Sequence, residues 1–381
     1  PVNPTGKALN SQSGTAVYCL EISAPLKSGE SRTRYGSDYL ENHLPWNGAL
    51  GATDQQKLLS YVLYYGYKGN VHPKTWVTQN STGSKELAWD YATQLLVWEV
   101  VVGERDIDFN HLSKAQTGAK NEVIEYMRSN CPLRSTILSY YNTMVANIQK
   151  ALKVPSFMTK NAYGAYTYEL NYRTDQKVYE VSLTDTNNVL GNYNFSGTGL
   201  SFTVNGNVLT VRSDHPISDG VTITATKKNS NTVCGTVVWG DGKIDVGGSG
   251  KQDVLAHGAE VKDPLKAYVN VKAEPATGNI QISKTSEDGK TAFSFRVTGE
   301  NYDQTFSTAE STTGTGVVTV SDLLPGTYTI SEVNPGNRYT VLSSKNITVK
   351  AGENYTASFS NTLKEQYNIS VVKKDSETGE K

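Results

Sequence analysis

The chain has 381 residues, a formal net charge of −1 and only 19% charged side chains, with no run of Lys or Arg. That balance argues against a nucleic-acid footprint or a membrane-surface patch, and no apolar run approaches a membrane span. The length suits about two to four domains, and 33 Gly and 23 Tyr against 3 Met, with many Thr, Ser and Asn, fit an exported β-rich protein. A start at Pro1 without a signal peptide reads as a piece of a longer exported chain.

Residues 1–158 carry the helical signals. Cys19 lies in a strand-like run, Ala16-Val17-Tyr18-Cys19-Leu20-Glu21-Ile22. Asp54 can cap a helix bearing Leu58, Leu59, Val62 and Leu63, stopped by Gly66 and Gly69. A second helix begins near Ser84 and places Leu87, Tyr91, Gln94 and Trp98 on one face, which reads as buried. A third is expected over Asn121–Asn130. A fourth, from Ser135 to Pro155, has Leu138, Tyr141, Val145, Ile148 and Leu152 as its stripe. This region reads as an α+β domain.

Beyond Tyr163 the period changes from 3.6 to 2, and short alternating runs such as Tyr179–Leu183, Val208–Val211 and Val221–Thr224 are separated by Asn-Gly, Asp-Gly and Ser-Gly turns. Residues 159–275 are therefore expected to be an all-β sandwich, and Glu274-Pro275-Ala276-Thr277-Gly278 a linker. A second β-sandwich occupies 276–364. Its first strand, Asn279-Ile280-Gln281-Ile282-Ser283-Lys284, recurs 89 residues later as Asn368-Ile369-Ser370-Val371-Val372-Lys373, so 365–381 reads as the first strand of a further repeat. Tandem β modules suggest a stalk.

Three chemical features stand out. A thiol and a carboxamide, Cys19 and Gln94, can condense with loss of ammonia to an internal thioester. Each alone has an ordinary reading, as a small buried hydrophobe and a satisfied core amide. In the 276–364 module, Lys284 shares a strand face with Ile280 and Ile282, Glu332 with Tyr328 and Ile330, and Asn361 with Phe359 and Ala357. Buried Lys and Glu are rare unless paired. Desolvation favours a neutral nucleophilic amine and a protonated acid that shuttles protons, so a Lys284–Asn361 isopeptide bond assisted by Glu332 is expected. Lys177 and Asn270 are a weaker pair of the same kind in the middle sandwich. No paired-Cys spacing, His-x-x-x-His spacing or P-loop points to a metal, nucleotide or other cofactor. Cys131 and Cys234 are expected to be free thiols, although a disulfide between them is open.

Two resemblances sharpen these readings. Gly326-Thr327-Tyr328-Thr329-Ile330-Ser331-Glu332 and Phe359-Ser360-Asn361-Thr362, downstream of Lys284, resemble the CnaB-type (Ig-like) domains of Gram-positive adhesins and pilins over about 85 residues. The resemblance implies the Lys284–Asn361 bond with Glu332 as catalyst, and Lys373 as the equivalent lysine of the next repeat. Tyr18-Cys19 followed by Thr93-Gln94-x-x-x-Trp98 resembles the thioester domains of Gram-positive surface adhesins, including streptococcal pilus-tip adhesins. Many members have Ala two residues after the Gln, where this chain has Leu96.

That second resemblance implies a covalent host-cell adhesin, secreted and held at the cell wall or a pilus tip. Its Cys19–Gln94 thioester takes a host Lys amine, with Tyr18, Thr93 and Trp98 around the bond, pilus shaft subunits as further partners, a role in virulence and no turnover. The alternatives are a Cys19-dependent hydrolase or transglutaminase using His43, His72 or His111, and a non-covalent adhesin or shaft pilin in which Cys19 is structural.

Overall fold

The protein is described by a computed structural model covering residues 16–22, 24, 31–36, 38–69, 82–113, 121–244, 251–365, 369–374 and 376–378. The chain is multidomain and mostly β, with its few helices near the N-terminus. In order it forms β1 (Tyr18–Cys19), β2 (Thr33–Tyr35), α1 (Tyr39–His43), α2 (Ala52–Tyr65), α3 (Thr82–Val102) and α4 (Arg134–Ala151). Strands follow as β3 (Thr167–Glu169), β4 (Asn171–Arg173), β5 (Val178–Thr184), β6 (Tyr193–Ser196), β7 (Ser201–Asn205), β8 (Val208–Ser213), β9 (Ile217–Lys227), β10 (Thr232–Gly240), β11 (Val254–Lys262) and β12 (Lys266–Ala273). The last module contains β13 (Gly278–Ser286), β14 (Ser294–Gly299), β15 (Tyr302–Ser307), β16 (Gly316–Leu323), β17 (Gly326–Val333), β18 (Lys345–Val349) and β19 (Asn354–Asn361).

The helices depart from the sequence expectation in detail. Gly51, not Asp54, stands at the N-cap of α2; Asp54 lies in the first turn and pairs with Lys57 at 2.8 Å. The helix expected over 121–130 shrinks to a 3₁₀ turn, Val123–Tyr126. In α3 the fully buried side is Ala88, Ala92, Leu95, Leu96, Val97 and Val100–Val102, packed among α2, α4 and β1. The stripe Leu87, Tyr91, Gln94 and Trp98 is only half-buried. The reason is its cover: a two-residue strand and a 3₁₀ turn shield less surface than a helix does.

The largest correction concerns the middle region. Strands β10 and β11 lie within the expected 159–275 sandwich, yet they form the sheet β1-β11-β10-β2 with strands from the N-terminal region. The remaining strands make two four-stranded sheets, β3-β12-β9-β6 and β4-β5-β8-β7. Alternation alone reports that a strand has one buried face, not which partner it pairs with, so the excursion of 232–262 was invisible in the period. One apolar core runs continuously from Ala16 to Ala273, joining the helical region to the sandwich. Tyr61 donates to Asp263 at 2.5 Å, Lys227 donates to the Ala151 carbonyl at 2.9 Å, and Tyr193 donates to the Lys153 carbonyl at 2.7 Å across that junction.

The 278–361 module has its own core, built on Ile280, Ile282, Phe295, Val297, Ile330 and Phe359 between the sheets β16-β13-β19 and β15-β14-β17-β18. Residues 369–374, expected as a strand, are exposed and form none. A lone strand has no ladder to satisfy its backbone groups.

Candidate functional sites

Strand β1 is held antiparallel to β11 by the pairs Tyr18–Leu255 and Cys19–Val254. Its other side faces α3. There the Gln94 carboxamide docks on both polar groups of one residue: the Cys19 N–H donates to Gln94 Oε1 at 2.7 Å, and Gln94 Nε2 donates to the Cys19 carbonyl at 2.9 Å. The side chain thereby takes the place of a neighbouring strand, which fixes the plane of the amide against the residue carrying the thiol. The carbonyl oxygen of Gln94 already rests on a backbone N–H, the kind of donor that stabilises a developing oxyanion.

Burial pushes the half-buried Cys19 thiol up to about 11, and the Glu21 carboxylate two residues on adds to the effect. Glu21 is itself buried and accepts from Gln252 Nε2 and the Asp253 N–H, both at 2.7 Å, while the Leu20 N–H donates to the Asp253 carbonyl at 3.0 Å. These bonds fasten the chain just after Cys19 to the start of β11. Tyr39 donates to the Asp253 carboxylate at 3.0 Å, and burial raises that carboxyl to about 6. Neither Glu21 nor Asp253 was singled out by sequence, because an acid in an alternating run reads as a solvent-facing residue.

Of the expected surroundings, Tyr18 and Thr93 are fully buried. Trp98, one turn beyond Gln94, packs near Tyr126 at 6.3 Å between ring centroids, and its buried indole N–H has no hydrogen-bond partner. Neither His43 nor His111 comes to the pair. His43 stacks on Tyr39 and contacts the Tyr39 carbonyl at 2.8 Å, and His111 lies 3.7 Å from Glu104. His72 is outside the described residues. His257, on β11, faces away from Cys19, since Cys19 shares its face with Val254 whereas His257 shares the opposite face with Leu255.

Glu99, Glu104 and His111 converge within 4.8 Å, the one such group of potential metal ligands among the described residues. Their oxygens are occupied by protein: Arg105 and Tyr141 donate to Glu99 at 2.7 and 2.8 Å, and the Val123 N–H donates to Glu104. This donor set closes an ion-paired network and assigns no metal.

In the second module one carboxylate oxygen touches both partners. Glu332 Oε1 lies 2.9 Å from Lys284 Nζ and accepts from Asn361 Nδ2 at 2.9 Å. Lys284 and Asn361 are fully buried, and the Glu332 side chain is 2% exposed. Beyond that close contact, Lys284 Nζ, Glu332 Oε2 and Asn361 Oδ1 are buried without a hydrogen-bond partner. Three unsatisfied buried polar atoms are costly. Burial lowers the Lys284 pKa, partly opposed by Glu332, and its Nζ sits 4.5 Å from the Phe293 ring centroid.

The middle sandwich offers no equivalent. Lys177 is exposed in the turn before β5, and Asn270 lies on β12 in the other sheet, where it accepts from Thr222 at 2.7 Å. The structure does not bring them together. Lys373 is exposed. Cys131 and Cys234 are both free.

Comparison with known proteins agrees with this division. Residues 16–150 match the thioester-domain family model, and residues 278–363 match the model of a prealbumin-like fold domain. Among solved structures, the Bacillus anthracis TIE protein is 16% identical with a TM-score of 0.43, covering 92% of this chain and 60% of its own. The thioester domain of the Staphylococcus aureus TIE protein is 17% identical with a TM-score of 0.32, covering 68% of this chain and 83% of that one. The pilus-presented adhesin Cpa is 13% identical with a TM-score of 0.25, covering 94% of this chain and 72% of that one. No curated protein matches the chain. No helix among the described residues is long and apolar enough to cross a membrane.

Proposed function

We propose that this protein, which carries a thioester domain ahead of a prealbumin-like domain, is a covalent adhesin: a single-use acyl donor displayed on a cross-linked β stalk. The observation that carries the reading is the two-point docking of the Gln94 carboxamide on Cys19. Cys19 Sγ attacks Gln94 Cδ, the Cδ–Nε2 bond breaks, and the thiol proton leaves with the nitrogen as ammonia. The oxygen that gains charge in that step is the one on the Cys19 N–H. A primary amine, of the kind a host protein's Lys presents, then attacks Cδ. The new C–N bond replaces the C–S bond, and the amine proton returns to sulfur.

Each Gln94 reacts once, so turnover is not part of the function. A half-buried stripe suits this chemistry. Water access is limited by Tyr91, Trp98 and the turn at Tyr126, yet the site is not sealed against a side chain. Lys284, Asn361 and Glu332 apply the same loss of ammonia to the stalk. Lys284 Nζ bonds to Asn361 Cγ, Asn361 Nδ2 leaves, and Glu332 Oε1, in reach of both nitrogens, carries the proton from one to the other. A hydrolase or transglutaminase needs a base on the thiol; among the described residues, His43 engages Tyr39 and His111 lies beside Glu104, which speaks against either of them in that role. Host-surface or matrix proteins outside the cell are the expected targets, with pilus shaft subunits as assembly partners.

Intact mass tests the reading. The protein should lack two ammonias, and methylamine should restore the equivalent of one substituent at Gln94 while exposing one thiol at Cys19. Cys19→Ala should regain one ammonia and take up no methylamine. A native protein of full mass whose Cys19 alkylates freely overturns the proposal.

A further inference from the structure

The residues immediately before Cys19 and Gln94 hold the two ends of the same third residue. The Tyr18 hydroxyl donates to the Tyr67 carbonyl at 2.7 Å, and the Tyr67 N–H donates to Thr93 Oγ1 at 3.0 Å, both in buried surroundings. Thr93 Oγ1 in turn donates to the Trp89 carbonyl at 2.9 Å within α3, which fixes its rotamer. Tyr67 follows the C-terminus of α2, and its ring packs edge-on against Trp89 at 5.8 Å. Two positions on, the Gly69 carbonyl accepts from the Ala16 N–H at 3.4 Å, so the segment runs alongside the approach to β1.

Gly66 makes this approach possible. Its φ of −76° is open to any residue, but a Cβ there would stand 2.6 Å from Thr93 Cγ2 and 2.6 Å from the Val62 carbonyl oxygen. Both obstacles are firm, one a buried side chain locked by two hydrogen bonds and the other helix backbone. Space, rather than backbone dihedral, demands glycine at this point.

We propose that Tyr67 is a register splint for the reactive pair: its peptide groups tie Tyr18 on the strand to Thr93 on the helix and so set the spacing of Cys19 and Gln94. This makes Tyr18, Thr93 and Gly66 positioning residues for thioester formation, and it rests on the thioester reading above. The need for such a device follows from the shortness of β1. Two residues with two ladder pairs fix the strand laterally on β11, and apart from the Gln94 docking itself its register against α3 rests on side-chain ties such as those of Tyr18 and Thr93. Reacting atoms must come within about 3–3.5 Å, and a displacement of about 1 Å can cost on the order of 100-fold in rate. Because Tyr18 and Thr93 each precede a reacting residue, slack in either hydrogen bond passes directly into the Cys19–Gln94 distance.

The test uses the full chain made by cell-free synthesis and sampled over time by intact mass, with proteolytic mapping of each ammonia loss. Tyr18→Phe removes one oxygen and keeps the packing; Thr93→Val keeps the shape and removes the hydroxyl; Thr93→Ser restores it; Gly66→Ala pushes the splint away. Tyr18→Phe, Thr93→Val and Gly66→Ala should slow the Cys19–Gln94 ammonia loss about 10- to 100-fold, and Thr93→Ser should recover most of it. Loss at Lys284–Asn361 should keep its wild-type rate in every variant, which serves as an internal clock. Circular dichroism melting identifies variants that fold. Folded Tyr18→Phe and Thr93→Val proteins that form the thioester at the wild-type rate overturn the splint and leave a purely structural anchor. A wild-type protein that never loses the first ammonia overturns both the splint and the thioester reading.

Discussion

Lys284 and Asn361 stand diagonally across two parallel strands, not opposite one another: in the β13–β19 register Lys284 faces Phe359, and Asn361 faces Ser286. The two-residue offset puts both side chains on the same inner face and leaves the long Lys stem to span the diagonal. Glu332 reaches in from β17 of the facing sheet, next to Phe295 of β14. The proposed cross-link at this position would tie the first strand of the module to its last, so that a covalent bond and not the β13–β19 ladder would carry tension along the chain.

Glu332→Gln should abolish that cross-link. The variant keeps the volume of the side chain but cannot carry the proton from Lys284 to the departing amide nitrogen. Its mass should exceed the wild type by one ammonia at the Lys284–Asn361 pair. Calorimetry should show the module losing on the order of 4 kcal/mol, the chain-entropy contribution of a cross-link closing a loop of this length. A Glu332→Gln protein that still carries the linked peptide removes Glu332 from the mechanism.

The Cys19 thiol should titrate late. In a Gln94→Ala variant lacking Cys131 and Cys234, the iodoacetamide rate should climb about tenfold per pH unit through the neutral range and level only near 11. The same protein in urea should level near the ordinary value of 9.0. A native curve that levels at the urea value would falsify the burial of the reactive sulfur.

Glu104 should make the thioester domain more stable in mild acid. Burial raises its carboxyl from 4.5 to about 7, the charges of Glu99 and Glu122 add to the rise, and the Val123 N–H and Arg105 oppose it. The folded state therefore holds this proton more tightly than the unfolded chain. The contribution is complete below 4.5 and disappears as pH rises through about 7. Between pH 5 and 7, Glu104→Gln should flatten the fall of melting temperature by the equivalent of about 2 kcal/mol. Asp253, raised to about 6, slopes the same way and should keep the variant from becoming fully flat. His111 lies 3.7 Å from Glu104, so His111→Ala is the matching control for loss of that contact.

Lys177→Gly should leave the mass of the protein unchanged apart from the substitution itself. Lys177 sits at φ 56°, a left-handed conformation that strains a side-chain-bearing residue. Relief of that strain should raise the stability of the middle sandwich by a few tenths to about 1 kcal/mol. An extra ammonia in the variant would instead reveal a Lys177–Asn270 bond.

Much of the 278–361 module is legible in the sequence because three of its residues break the pattern that surrounds them. Lys284, Glu332 and Asn361 each fall on the apolar phase of a strand, and a charged or amide group at such a position must have a partner. The strands of the middle sandwich were legible for the same periodic reason. The helical face of Gln94 is less buried than its periodicity suggests, since periodicity reports which residues align and not how much covers them. A histidine's residue type does not show what it packs against, and neither His43 nor His111 contacts Cys19 or Gln94.

By itself the sequence determined the kinds of chemistry available and the local conformation that carries each: a thiol on a strand, a carboxamide on a helix, and a Lys, a Glu and an Asn on three inward-facing strands. Only the tertiary structure decided that β10 and β11 leave the sandwich to support β1, that Tyr67 bridges Tyr18 and Thr93, and that Lys177 and Asn270 belong to different sheets. The physical reason is range. Propensity and period act over a few neighbouring residues, whereas the pairing of Tyr18 with Leu255 and of Cys19 with Gln94 is fixed by the packing of segments far apart in the chain.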